Sequence, residues 1–194
     1  MRIRMATAAD AEAVRAIYAP IVETTTISFE YAVPTVAAIA ERITERQPGY
    51  PWLVAERHGG IDGYAYAGRF AARSAYAWSV ETSLYVAEAA RRRGVGRGLY
   101  TALLGILAAQ EYRRAFAGIA LPNPASVALH ESMGFTLSGV HREVGWKLGG
   151  WHDVGWWQRP LQASGGEPRP PLPFTGLPAG VLDAALAAGA ALLG

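Results

Sequence analysis

The first residues alternate, Arg2 to Met5, which predicts a short strand. Behind it Ala13, Val14, Ile17 and Tyr18 recur at helical spacing, with Asp10 placed to cap that helix. Thr35, just after Pro34, starts a second helix carrying Val36, Ile39, Ala40 and Ile43. Trp52-Leu53-Val54-Ala55 and Tyr64-Ala65-Tyr66-Ala67 read as strands joined by a turn around His58-Gly59-Gly60. From Ser79 to Val86 the alternation is strict: Val80, Thr82, Leu84 and Val86 face one way, Glu81, Ser83 and Tyr85 the other. Val95, Leu99, Ala102, Leu103, Ile106 and Leu107 then form a helical stripe, and residues 115–121 a further apolar strand. Asn123 stands at a cap, Pro124 at the first helical position, and that helix runs to Met133 before Gly134 ends it. Strands at about 135–146 and 151–161 complete an α/β (α+β) pattern of roughly seven strands and four helices, too irregular for a doubly wound repeat.

From Ser164 the character changes. Pro168, Pro170, Pro171, Pro173 and Pro178 exclude regular helix and central strand there. The Ala- and Leu-rich stretch from Val181 to Gly194 suits a short apolar helix that docks onto the domain or a partner subunit. We therefore expect one domain over residues 1–162 and a Pro-rich tail over 163–194. At 194 residues, 51% hydrophobic and 18% charged, the chain is globular and long enough for a sizeable core. A net charge of +2 gives no ground for a nucleic-acid partner, and the absence of cysteine removes disulfides, thiolate metal sites and a cysteine nucleophile. No signal-peptide core opens the chain and no apolar run reaches the roughly 18 residues of a membrane span. The expectation is a soluble cytoplasmic protein with no membrane partner.

The segment Arg91-Arg92-Arg93-Gly94-Val95-Gly96-Arg97-Gly98 lies between a strand and a helix. Small residues let the backbone approach a pyrophosphate, free N–H groups at the helix start point at its oxygens, and the arginines add forked donors. A solvated basic turn would look similar. A P-loop is excluded, since no Gly-x-x-x-x-Gly-Lys-Ser/Thr occurs, and so is a dinucleotide fingerprint, because Leu99 stands three residues beyond Gly96.

The order of strand, Arg-x-x-Gly-x-Gly, helix, strand, Asn123 and Gly134-Phe135 resembles the GCN5-related N-acetyltransferase (GNAT) superfamily over residues 2–161. Within it, Ala75-Tyr76-Ala77-Trp78-Ser79-Val80-Glu81-Thr82-Ser83, Leu121-Pro122-Asn123, Leu129-His130-Glu131 and Lys147 to Gly155 are similar to the phosphinothricin N-acetyltransferase group. The resemblance implies a mixed, mostly antiparallel sheet with flanking helices. Acetyl-CoA would lie in a splay between two parallel strands, 79–86 and 115–121. It also implies that Leu84, Tyr85 and Val86, the loop residues Arg91, Arg92, Arg93, Gly94, Val95, Gly96, Arg97 and Gly98, and Asn123 and Ser126 bind that co-substrate. A homodimer with active sites near its interface is implied as well.

Transfer to an amino acid's α-amine needs a base, since that amine is mostly protonated at neutral pH. Glu81 matches the group's Val-Glu-Thr-Ser block; on its own it would pass for a solvent-facing strand charge. His130 shares a helix face with Asn123 and Ser126 and titrates near 6.5 when unperturbed, so it serves as base or acid. The two are assigned as a shared acid/base pair. By the same resemblance Phe29, Arg73, Tyr76 and Ser83 form the acceptor pocket of a small amino acid. Arg69-Phe70-Ala71-Ala72 departs from the group's usual run and leaves one pocket cation missing or relocated. Methionine sulfoximine, methionine sulfone and arsinothricin are alternative acceptors. Protein N-termini or polyamines, and a non-catalytic acyl-CoA sensor, are broader rivals. His152 and Asp153 alone make no metal site, and none is expected; Trp146, Trp151, Trp156 and Trp157 are read as core or dimer packing.

Overall fold

The computed structural model describes every residue except Pro48 and Ser164, so the composition break at Ser164 lies outside the described residues. The strands are β1 (Arg2–Met5), β2 (Trp52–Arg57), β3 (Gly60–Arg69), β4 (Ser79–Val86), β5 (Arg114–Leu121), β6 (Thr136–Lys147) and β7 (Gly150–Pro160). The helices are α1 (Ala11–Thr24), α2 (Val36–Arg46), α3 (Val95–Ala109), α4 (Pro124–Ser132) and α5 (Val181–Ala190). One sheet runs β1-β2-β3-β4-β5-β7-β6. Its pairs are antiparallel except β4 with β5, as the resemblance implied.

Period-two alternation sends neighbouring residues of each inner strand into different cores. On β2, Leu53 and Ala55 join the α3 side with Leu99, Leu103, Ile106 and Leu107, whereas Trp52 and Val54 meet Val14, Ile17, Ile39 and Ile43 of α1 and α2. Each large apolar side chain buried this way contributes about 1.5–3 kcal/mol. The caps at Thr35 and Asn123 form as expected: Thr35 Oγ1 accepts from Ala38 N and Asn123 Oδ1 from Ser126 N. Asp10 differs. It stands at the start of α1, but its carboxylate turns back to take both Arg4 Nη atoms, at 2.8 and 2.7 Å, and Thr7 N. A bidentate, largely buried ion pair outcompetes a cap bond. Of the four tryptophans near the end of the sheet, Trp157 is buried while Trp146 and Trp151 are 48% and 59% exposed on the β6–β7 hairpin. Trp156, also taken for packing, lines a cavity.

The tail folds back onto the domain. Leu172 N donates to Gln110 O, and Gln110 Nε2 returns a bond to Leu172 O. Helix α5 then lies on α3 at glycine-to-glycine distance: a Cβ on Gly189 would fall 2.4 Å from Gly98 O and 2.8 Å from Ala102 Cβ. Beyond α5, Gly194 N donates to Arg93 O, and Leu192 O sits over Gly94. We expect Gly189→Leu to force α5 off α3 and to cost about 1–3 kcal/mol. A lowered midpoint in thermal denaturation is the expected result; an unchanged midpoint would show that α5 adds nothing to stability.

Candidate active site

The parallel pairing of β4 and β5 covers only Ser79 to Glu81 against Arg114 to Phe116. Beyond it the strands part. Thr82 Oγ1 donates across the opening to Phe116 O at 3.1 Å. After that point β4 stays paired with β3, Ser83 to Tyr66 and Val86 to Gly63, so its other edge faces a cleft. Alternate N–H groups on that edge are available to an extended ligand. Leu84, Tyr85 and Val86 lie along it, with Leu84 against Gly96: a Cβ on Gly96 would meet Leu84 Cδ2 at 3.5 Å and Leu129 Cδ2 at 3.1 Å.

The cleft runs towards the start of α3. Gly94 holds φ +76°, a left-handed conformation that delivers the chain into α3 and strains other residues. Arg91, Arg92, Arg93 and Arg97 are exposed around it, and among the described residues none is in an ion pair. Free helix N–H groups and four unpaired cations fit a pyrophosphate. Asn123 and Ser126 bound the cleft at the start of α4.

His130 is 5% exposed, on the α3 side of the sheet. Its Nδ1 is 2.7 Å from Ser126 O, which can only accept, so Nδ1 carries a proton. In the neutral ring Nε2 therefore accepts from the Tyr100 hydroxyl at 2.8 Å. Burial lowers the His130 pKa below its usual 6.5. Tyr100 is fully buried, its own pKa is raised by burial, and its oxygen lies 3.4 Å from Thr82 Oγ1. Sequence reasoning missed Tyr100, which sits in an apolar helical stripe and looks like core.

Glu81 projects from the opposite face of β4 to Thr82, so the structure does not bring it together with His130. It is half-buried, and that burial raises its pKa, while Arg46 opposes the shift. Its β5 neighbour Phe116 lines a cavity of about 640 Å³ with Phe70, Arg73, Tyr76, His141 and Trp156. Arg73 and Tyr76 thus share one cavity beside Glu81, and Ser83 lies two residues along the same strand face. Phe29 lies elsewhere: its ring covers Gly145 and approaches His152, with centroids 6.4 Å apart. Its loop is pinned by the buried Lys147, whose Nζ donates to Val22 O and Ser28 O at 2.7 and 2.6 Å. Among the described residues no three His, Asp or Glu side chains gather as a metal site, and no helix is long and apolar enough to cross a membrane.

A parting parallel pair, a glycine loop with unpaired arginines and a half-buried carboxylate define an acyl-CoA-dependent N-acetyltransferase. The acetyltransferase (GNAT) domain family matches residues 3–156, and the chain belongs to that family. More narrowly, it is 45% identical to the phosphinothricin N-acetyltransferase of Streptomyces viridochromogenes, over 90% of this chain and 95% of that one. It is 35% identical to the L-methionine sulfoximine/L-methionine sulfone acetyltransferase of Salmonella typhimurium, over 83% of this chain and 95% of the relative. A GNAT phosphinothricin acetyltransferase from Sinorhizobium meliloti, solved in complex with acetyl-CoA, superposes with a TM-score of 0.79 at 37% identity, over 90% of this chain and 94% of that one.

The lowered pKa of His130 has a thermodynamic consequence. Between that value and 6.5 the unfolded chain binds a proton that folded His130 refuses, so stability falls as pH drops below 6.5. Urea unfolding at about pH 7 and about pH 5.5 should show this loss, and His130→Asn should reduce it. An identical pH dependence in the variant would show that another group is responsible.

Proposed function

We propose that the protein moves the acetyl group of acetyl-CoA to the α-amine of a phosphinothricin-like amino acid. The observation that carries this reading is Glu81, a half-buried carboxylate at the point where β4 and β5 part, beside a cavity that holds Arg73 and Tyr76. The names of the relatives support it, phosphinothricin in one case and methionine sulfoximine or sulfone in the other. The second pair of acceptors keeps the same amino-acid frame and is the runner-up. When bound, acetyl-CoA supplies an acyl group already activated as a thioester. Gly94, Gly96 and the surrounding arginines hold its pyrophosphate, and the open edge of β4 orients its pantetheine arm.

Glu81, made more basic by burial, takes the proton that the acceptor ammonium must lose. The amine nitrogen then attacks the carbonyl carbon; the N–C bond forms, the C–S bond breaks, and the second amine proton ends on sulfur. His130 has both ring nitrogens engaged, so we assign it to holding Tyr100 and the end of α4 in place rather than to moving the amine proton. On this reading Glu81→Gln lowers kcat by about 10²–10⁴-fold with acetyl-CoA binding intact, and His130→Ala costs less. Free-thiol release with phosphinothricin, methionine sulfoximine, methionine sulfone, arsinothricin and polyamines tests the acceptor. Turnover with the amino acids is expected; turnover with polyamines alone would overturn the assignment.

We also propose a cytoplasmic homodimer built on the β6–β7 edge. There Leu137, Val144, Trp146, Leu148 and Trp151 are exposed on the last strand of the sheet and its hairpin. An apolar, unpaired edge of this kind is usually covered by a partner. Light scattering should give twice the chain mass for the native protein and the single mass for Trp151→Glu; a native monomer would contradict the proposal.

A further inference from the structure

The acceptor carries a carboxylate on the same carbon as its amine, and that charge needs a partner close to Glu81. Arg46, in the last turn of α2, stands there. Its Nη1 fills the space over Gly68, where a Cβ would be only 2.2 Å away. Gly68 is the direct β3 partner of Glu81, and directly opposed residues share a sheet face. The guanidinium carbon lies 4.8 Å from the centre of the Tyr66 ring and 5.9 Å from that of Trp52. Its one protein hydrogen bond is long, 3.4 Å to Ala67 O, and among the described residues it has no carboxylate partner. Arg42, one turn earlier, is by contrast committed to Glu30 at 2.8 Å.

Arg46 lines a second cavity, of about 330 Å³, with Tyr18, Glu30, Arg42, Trp52, Tyr64 and Tyr66, where the charge of Glu30 is met by Arg42. The indole of Trp52 is buried beneath the guanidinium, and its N–H has no hydrogen-bond partner among the described residues. Glu81 is thus flanked on both sides. On the β5 side, past Phe116, lies the larger, aromatic-walled cavity with Arg73; on the β3 side, over Gly68, lies Arg46 with the smaller one.

The size of an amino acid decides between the two. Its carboxylate oxygens lie roughly 3 Å from the amine nitrogen, given bonds of about 1.5 Å, whereas the end of its side chain is several bonds further away. With the amine at Glu81, the carboxylate falls where Arg46 stands, and the side chain needs the larger cavity. Contact with the Tyr66 and Trp52 rings holds the guanidinium in place while leaving most of its N–H groups for a carboxylate. We propose that Arg46 binds the α-carboxylate of the acceptor and so selects amino acids over simple amines. In this chain it also supplies a pocket cation that the Arg69–Ala72 segment lacks.

This inference rests on the amino-acid acetyltransferase reading, and its test separates the two. Rates of thiol release are measured for phosphinothricin and for its decarboxylated analogue, 3-aminopropyl(methyl)phosphinate, with the wild type, Arg46→Gln and Arg46→Lys. The wild type should favour phosphinothricin, and Arg46→Gln should cut the ratio of the two kcat/KM values at least tenfold, mainly through the KM for phosphinothricin. Arg46→Lys, a charge without the fork, should fall between, with the KM for acetyl-CoA unchanged in both variants. An unchanged ratio, with both acceptors losing equally, would show that Arg46 acts only through Glu81 or the fold and would overturn the proposal. If the wild type acetylates no amino acid, the activity reading fails instead, and Arg46 is then judged by calorimetric titration of phosphinothricin. Binding weakened at least tenfold in Arg46→Gln would uphold the proposal. Equal binding, or none to the wild type, would overturn it.

Discussion

Everything in this protein that concerns function depends on where two parallel strands stop pairing. Three residues of β4 and three of β5 are joined, and then the ladder ends at Glu81 and Phe116. A broken ladder leaves backbone donors and acceptors that must find other partners. Here the opening is held by structure around it rather than across it. β3 continues to pair with β4 along its whole length, β7 does the same for β5, and Thr82 ties the fork at its base. The cleft is therefore rigid without being filled, as a site for an extended thioester ligand needs to be.

The two faces of the sheet divide the work. On the α3 side the exposed arginines of the glycine loop stand over a buried, hydrogen-bonded pair, Tyr100 and His130. On the α1–α2 side Glu81 lies beside two cavities, one holding Arg73 and the other Arg46 together with the Arg42–Glu30 ion pair. Burial there raises the carboxylate's proton affinity while Arg46 draws it back. A carboxylate made more basic in this way is better suited to take a proton. The tail adds a feature outside the family's matched residues, 3–156, because α5 and the residues after it close over the outer side of the same glycine loop.

The fold was legible in the sequence because its signals are periodic and local. The strict alternation of Ser79 to Val86 identified β4 and put Glu81 and Thr82 on different faces. Asn123-Pro124 and Gly134 marked both ends of α4, and the Arg-x-x-Gly-x-Gly run marked the start of α3. Parts of the site were not legible, for physical reasons. Tyr100 reads as one more apolar residue until α4 packs against α3 and His130 needs a hydroxyl. Arg46 reads as a cation suited to the C-terminal end of a helix, and only the absence of a side chain at Gly68 lets it reach the β3–β4 ladder. Asp10 was misread as a cap because the bidentate claim of Arg4, from a neighbouring strand, has no local signature.

The opening between β4 and β5 is the acetyl-CoA cleft. Amide hydrogen exchange, with and without acetyl-CoA, addresses it directly and needs no acceptor. Exchange should slow at residues 82–86 of β4 and at 94–97 at the start of α3, with β1 and the β6–β7 hairpin unaffected. Protection confined to other segments, or absent from β4 while the coenzyme is bound, would contradict that assignment.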